Sequence, residues 1–146
     1  MSDEQNLALA LRYYKECPPD VGDPEKQHAK QVVDEILTPD FTMYFNCETA
    51  EEAAHGRDEH KRFLVAHTHS FPGERWSVEA IVASEQTVAC HWHARATHRE
   101  TNNPIDMHAA DFFTVRDGRL AELRRFLDFS TLMDQLEATP AADSAS

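Results

Sequence analysis

The feature that most restricts the fold is a change of texture at Phe71-Pro72-Gly73. Beyond this break, four segments alternate in polarity and are rich in Val, Thr and aromatic residues. They are Trp76 to Ala83, Thr87 to Thr97, Asp106 to Val115 and Arg119 to Phe129. Their links are Ser84-Glu85-Gln86, a polar turn around Thr101 to Pro104, and Asp117-Gly118, a hairpin signal. Four successive strands on such short links imply an antiparallel meander.

Before the break the spacing is helical. Leu7, Leu11 and Tyr14 define a first helix that Pro18-Pro19 must end. Asp23 and Pro24 open a second, in which Ala29, Val32, Val33, Ile36 and Leu37 share a face before Thr38-Pro39 closes it. Asp40 to Cys47 alternates as a short strand, and Glu48 to His55 reads as a loop. A third helix, about Arg57 to His69, carries His60, Phe63, Leu64 and His67 on one side. Ser130 or Thr131 caps a short last helix to about Leu136. This order predicts an α+β domain over residues 1–136, with helices on one face of a curved sheet. Residues 137–146 are small and polar and are expected to be disordered. The sheet's other face needs its own cover, and a homodimer through that face is the expected solution.

The charge balance narrows the partners. A net charge of −12 argues against nucleic acid and against an anionic membrane surface. No apolar run approaches the roughly 18 to 20 residues of a membrane span, and the first residues lack the pattern of a secretory signal. Three widely spaced cysteines, Cys17, Cys47 and Cys90, form no CxxC pair. The expectation is an acidic, cytoplasmic domain with reduced thiols.

Polar residues within the meander point to chemistry. Ala89, His91, His93, Arg95 and Thr97 share one face of their strand, opposite an ordinary packing set of Val88, Cys90, Trp92, Ala94 and Ala96. With the turn centred near residue 102, His93 lies across from Asp111 on the same face. A carboxylate holds an imidazole's tautomer and raises its basicity, so the pair is a candidate general base. Asp111 interrupts the apolar run Ala109 to Phe113, and Arg124 or Arg125 is its candidate cation, Arg125 being favoured. The same row reads alternatively as a buried polar pair or a solvated outer face. His91-Trp92-His93, with His98, His108 or Asp111, also resembles a histidine metal site, but HxH on a strand is a weak signal and no residue is assigned to a metal. Neither a nucleophile elbow nor a glycine-rich phosphate loop is present.

The chain resembles the SnoaL-like polyketide cyclases of the nuclear-transport-factor-2-like fold, the cone shared with ketosteroid isomerase, scytalone dehydratase and limonene epoxide hydrolase. The likeness rests on Gly56-Arg57-Asp58, on the strand Val88 to His98, and on Asp111-Phe112-Phe113-Thr114-Val115-Arg116-Asp117-Gly118-Arg119-Leu120-Ala121-Glu122 with Asp128 beyond. It covers the chain to about Leu136. The resemblance implies a catalytic role for Asp111 and, for Tyr13, a donor to an oxyanion. It gives Asn46 a polar pocket position, makes Tyr44 and Asn46 a water-positioning pair, and puts His98 near the site. Two departures stand out. No acid lies near Phe45, where the isomerases keep their base, and His91 and His93 replace the Arg-x-Asp of the epoxide hydrolases.

The resulting expectation is a small-molecule enzyme, polyketide cyclase-like or ketosteroid isomerase-like, binding an apolar carbonyl compound without metal or organic cofactor. His93 is its base, Asp111 orients that base or acts as acid, and Tyr13 serves the oxyanion. Tyr44, Asn46, His91, His98 and Arg125 position substrate. The rival is a non-catalytic ligand-binding or dimeric module on the same fold.

Overall fold

Ser2 starts the first helix with a capping box, its side chain accepting from Gln5 N while Gln5 returns a bond to the Ser2 amide. The computed structural model describes residues 2–20 and 22–138. Helices α1 (Asp3–Glu16) and α2 (Gln27–Ile36) come first, and β1 (Leu37–Phe45) and the two-residue β2 (Ala54–His55) precede α3 (Arg57–Ser70). The strands β3 (Arg75–Ser84), β4 (Thr87–Thr97), β5 (Pro104–Arg116) and β6 (Arg119–Leu127) follow, and α4 (Phe129–Glu137) closes the described fold.

One sheet of six strands runs in the order β2-β1-β6-β5-β4-β3. The meander is antiparallel as expected, and β1 joins β6 in parallel. The α+β class and the mostly antiparallel sheet under three leading helices are therefore as the sequence implied. Three boundaries differ. α2 starts at Gln27 behind Lys26, which sits in the left-handed region, yet the Asp23 carboxylate still accepts from the amides of Gln27 and His28. Leu37 belongs to β1 rather than α2, and the expected loop before α3 contains β2. Of the polar tail expected to be disordered, residues 139–146 lie outside the described residues.

The core lies between the helices and one sheet face. Ala10, Tyr13 and Tyr14 of α1, Val32, Val33 and Ile36 of α2, and Leu64 of α3 pack on Val88, Trp92, Phe113 and Leu123. Each fully buried Val, Leu or Phe contributes on the order of 1.5–3 kcal/mol, which fixes the face every strand turns inward. No described helix is long and apolar enough to cross a membrane.

Two registers decide what shares that inner face. Across β4 and β5, His93 pairs with His108 and Cys90 with Asp111. Asp111 lies three residues beyond His108, an odd step, so it points to the opposite face from His93. The expected His93–Asp111 pair therefore does not form. The link after Thr97 comprises residues 98–103 and is centred between residues 100 and 101, not near residue 102. Across β5 and β6 the outcome matches the favoured alternative. Counting back from Arg116 opposite Arg119, an unbroken ladder would put Asp111 opposite Arg124. A shift between Thr114 and Val115 inserts one residue and puts Arg125 there instead.

Candidate active site

Asp111 is fully buried and accepts four hydrogen bonds. Arg125 Nε reaches Oδ1 at 2.9 Å and Arg125 Nη2 reaches Oδ2 at 2.9 Å. Tyr14 Oη and Trp92 Nε1 donate to the same Oδ2 at 2.6 and 2.8 Å. Burial alone would make a carboxylate costly here, but a bidentate guanidinium and two neutral donors offset that cost. Burial likewise opposes the charge on Arg125, yet the Asp111 carboxylate prevails and lifts its pKa above the ordinary value. Tyr14 is pushed up by burial and by the negative charge of Asp111, so it stays a donor.

Beside this network the fold leaves a cavity of about 230 Å³. Phe45, Phe63, Phe71, Met107, Phe129 and Leu132 supply its apolar wall. Glu48, His67, Glu74 and Arg125 supply polar groups, with Trp92 between them. His67 Nε2 lies 2.7 Å from Glu74 Oε1, and Trp76 Nε1 donates to that same oxygen. Glu74 is 3% exposed, and its Oε2 has no partner among the described residues. The helix supports His67 by stacking it between Phe63 and Phe71, one turn away on either side, with ring centroids 5.6 and 4.9 Å apart. A carboxylate-held imidazole in an apolar wall can take or give a proton, and Arg125 adds fixed positive charge.

The other expected residues scatter. Tyr13 is buried and bonds His60 Nε2 at 2.9 Å, away from the cavity. Burial raises Tyr13 above its ordinary pKa, and burial with the charge of Arg125 holds His60 down at about 3, a neutral pair. His91 and His93 lie on the outer sheet face with His108, so neither lines this cavity. Tyr44 lies under the Arg124 guanidinium, 4.1 Å from it, on that outer side. Asn46 Nδ2 donates to Leu127 O and Asn46 Oδ1 accepts from Leu127 N, which ties the end of β1 to β6 at the cavity edge. His98 bonds Thr101 and packs 5.3 Å from Phe71, outside the cavity lining. Burial pushes the Cys90 thiol up to about 11, which suits a packing residue.

Asp111 and Arg125 are thus brought together, and Arg125 alone of the expected set lines the cavity. The residues missed are His67, Glu74 and Trp92. Their signal was present: His67 shares the apolar face of its helix, and Glu74 follows the helix break directly before an aromatic strand.

A helix-covered sheet thus holds a buried Asp–Arg pair beside an apolar cavity. The chain belongs to the SnoaL-like domain family, whose model matches residues 25–123. Solved structures share the fold. A candidate SnoaL-like polyketide cyclase from Jannaschia sp. CCS1 is 22% identical with a TM-score of 0.81, over 94% of this chain and 95% of that one. IdmH, a candidate polyketide cyclase from Streptomyces antibioticus, is 23% identical with a TM-score of 0.72, over 92% and 99%. A candidate ketosteroid isomerase from Kribbella flavida is 21% identical with a TM-score of 0.61, over 86% and 78%. Among curated proteins no sequence matches.

Proposed function

We propose that this protein is a small-molecule enzyme that abstracts a proton beside the carbonyl of an apolar compound, as in cyclisation or isomerisation. The observation that carries this reading is the His67–Glu74 pair in the wall of the apolar cavity, with Arg125 lining the same space. Glu74 holds Nε2 of the imidazole, so Nδ1 is the nitrogen that takes the proton. Arg125 spends Nε and Nη2 on Asp111, leaving Nη1 to stabilise the developing enolate oxygen. Asp111 acts through Arg125, fixing its orientation and balancing its charge, while Tyr14 and Trp92 complete the anchor. The aromatic wall takes the hydrocarbon part of the substrate. The names of the structural neighbours, cyclases and an isomerase, support the same class of reaction.

The test reads proton abstraction directly. Apolar ketones that raise the melting temperature are incubated with the protein in D2O, and loss of the α-proton signal is followed by NMR. Exchange by the wild type that falls at least a hundredfold in His67→Ala and at least tenfold in Glu74→Gln supports the reading. Ligands that bind without exchange, or exchange equal in His67→Ala, would make the cone a binding module instead.

A further inference from the structure

The outer face of the sheet holds a second cluster that the cone chemistry does not use. We propose that His93, Asp106 and His108 form a binding site for a borderline divalent transition metal ion of the zinc class. One donor atom from each of the three lies within 4.8 Å of the others. β4 and β5 put them there by alternation alone. His93 is the direct cross-strand partner of His108, and Asp106 is two residues before His108 on the same face. The two imidazoles are parallel, 4.3 Å apart at 4°. His93 Nε2 is hydrogen-bonded to Asp106 Oδ1, so in the metal-free state a proton occupies the line an ion would take.

The neighbours fit a ligand set rather than a solvated histidine row. His91 Nε2 lies 2.9 Å from His108 Nδ1. In the tautomer that donates from His108 Nδ1 to His91, the lone pair of His108 Nε2 faces outward for a metal, and His91 holds the ring as an outer-shell partner. Glu79 Oε1 lies 3.9 Å from His93 Nδ1, beyond hydrogen-bond distance but near enough to add negative charge beside the second ring. Two imidazoles and one carboxylate match zinc-class ions and not the all-oxygen preference of Mg²⁺ or Ca²⁺. A tetrahedral zinc ion holds its donors about 3.3 Å apart, so no edge need close by more than about 1.5 Å. Asp106 and His108 are exposed and His93 half-buried, so rotamer changes on a fixed backbone ladder accomplish this. Arg95, 3.5 Å from Asp106 Oδ2, and its cross-strand partner Arg75 oppose an ion by their charge, and the Arg95 side chain is largely exposed and free to swing away. The net charge of −12 favours cation approach. The fourth coordination position is left to water.

The experiment uses the full chain without an affinity tag. Co²⁺ is titrated and its visible d–d absorption recorded, then Zn²⁺ is added to displace it. One tetrahedral Co²⁺ per chain, bound at least tenfold more weakly by Asp106→Asn and His91→Ala and lost in His93→Ala/His108→Ala, is the expected result. His67→Ala leaves it unchanged, which separates this site from the cone. In the wild type, Zn²⁺ should shift the imidazole ¹⁵N signals of His93 and His108 and leave those of His60 and His67 in place, a readout that needs no variant to fold. Binding that persists in the double variant, or ¹⁵N shifts confined to other histidines, would overturn the proposal.

Discussion

Asp111 and Arg125 face each other across β5 and β6 because Ala121 of β6 is bulged out opposite the Thr114–Val115 step. Without the bulge Arg124 would occupy the place, and the buried carboxylate would have a different partner. The pair is nearly inaccessible, 0% and 3% exposed, so its two bonds at 2.9 Å are made without competing water. Removing one partner leaves the other charge buried and unbalanced. Asp111→Asn is expected to cost about 3–5 kcal/mol in urea unfolding, and Arg125→Met a similar amount. The double variant Asp111→Leu/Arg125→Met should recover only part of that loss, because it removes both buried charges but leaves the Tyr14 hydroxyl and the Trp92 indole N–H without their acceptor. A single-variant cost below about 1 kcal/mol would show that the pair is not the buried anchor described above.

His60 makes stability depend on pH. Its ring is buried, Nε2 contacts Tyr13 Oη, and Nδ1 has no partner among the described residues. Burial, then the charge of Arg125, lowers its pKa from 6.5 to about 3. Between those values the unfolded chain takes up a proton that the folded chain refuses. The contribution is therefore whole above pH 6.5 and is lost as pH falls towards 3, at up to about 1.4 kcal/mol per pH unit. Unfolding free energies at pH 7, 6 and 5 should fall more steeply for the wild type than for His60→Leu. Parallel curves would mean that His60 accepts its proton in the folded state.

Much of the frame was legible in the sequence, because periodicity reports burial directly. Ala29, Val32, Val33 and Ile36 fell on one helical face and are buried, and the four meander strands lie close to their expected limits. The site was harder to read because side-chain partners depend on register. A three-residue change in the link after Thr97 gave His93 the partner His108 in place of Asp111, and of the two faces the sequence left open theirs is the outer one. Trp92 read as packing from its alternation, and it does pack, but its indole N–H also holds Asp111 and its ring lines the cavity. His67 and Glu74 lie seven residues apart on either side of a helix break. No fixed spacing rule links two such residues, since the turn between them decides whether they meet.

The family motif at Gly56-Arg57 has a structural explanation. Gly56 precedes α3 at φ +88°, in the region that favours glycine, and its amide donates to Phe41 O. Arg57 Nη1 then donates to Asp34 O and Leu37 O at 2.9 and 3.3 Å, taking up carbonyls at the end of α2. An added Cβ at Gly56 would meet Pro39 O at an ordinary 3.7 Å, so the cost of Gly56→Ala is backbone strain, about 1–3 kcal/mol at φ +88° and ψ 159°. Arg57→Ala should cost a comparable amount by leaving those carbonyls to water. Thermal melts of the two variants check both, and an unchanged Gly56→Ala would show that the left-handed backbone is not required there.

Phe129 offers a way to test the cavity without disturbing the core. It starts α4 behind the Asp128 cap, lines the cavity, and is 43% exposed, so the fold does not depend on burying it. Its ring packs 6.4 Å from Phe45, which closes the cavity wall from the α4 side. An apolar aromatic probe such as anilinonaphthalene sulfonate should bind beside these rings and place its sulfonate towards Arg125. Truncating Phe129 to Ala removes one wall and is expected to weaken binding about tenfold, or about 1.4 kcal/mol. The melting temperature should move little. Phe112→Ala is the matched control, because Phe112 is equally exposed at 44% but lies on the outer face of β5 beside Phe126. Fluorescence titration of both variants decides the matter: loss confined to Phe129→Ala puts the apolar probe in the cone, whereas loss confined to Phe112→Ala puts it on the outer sheet.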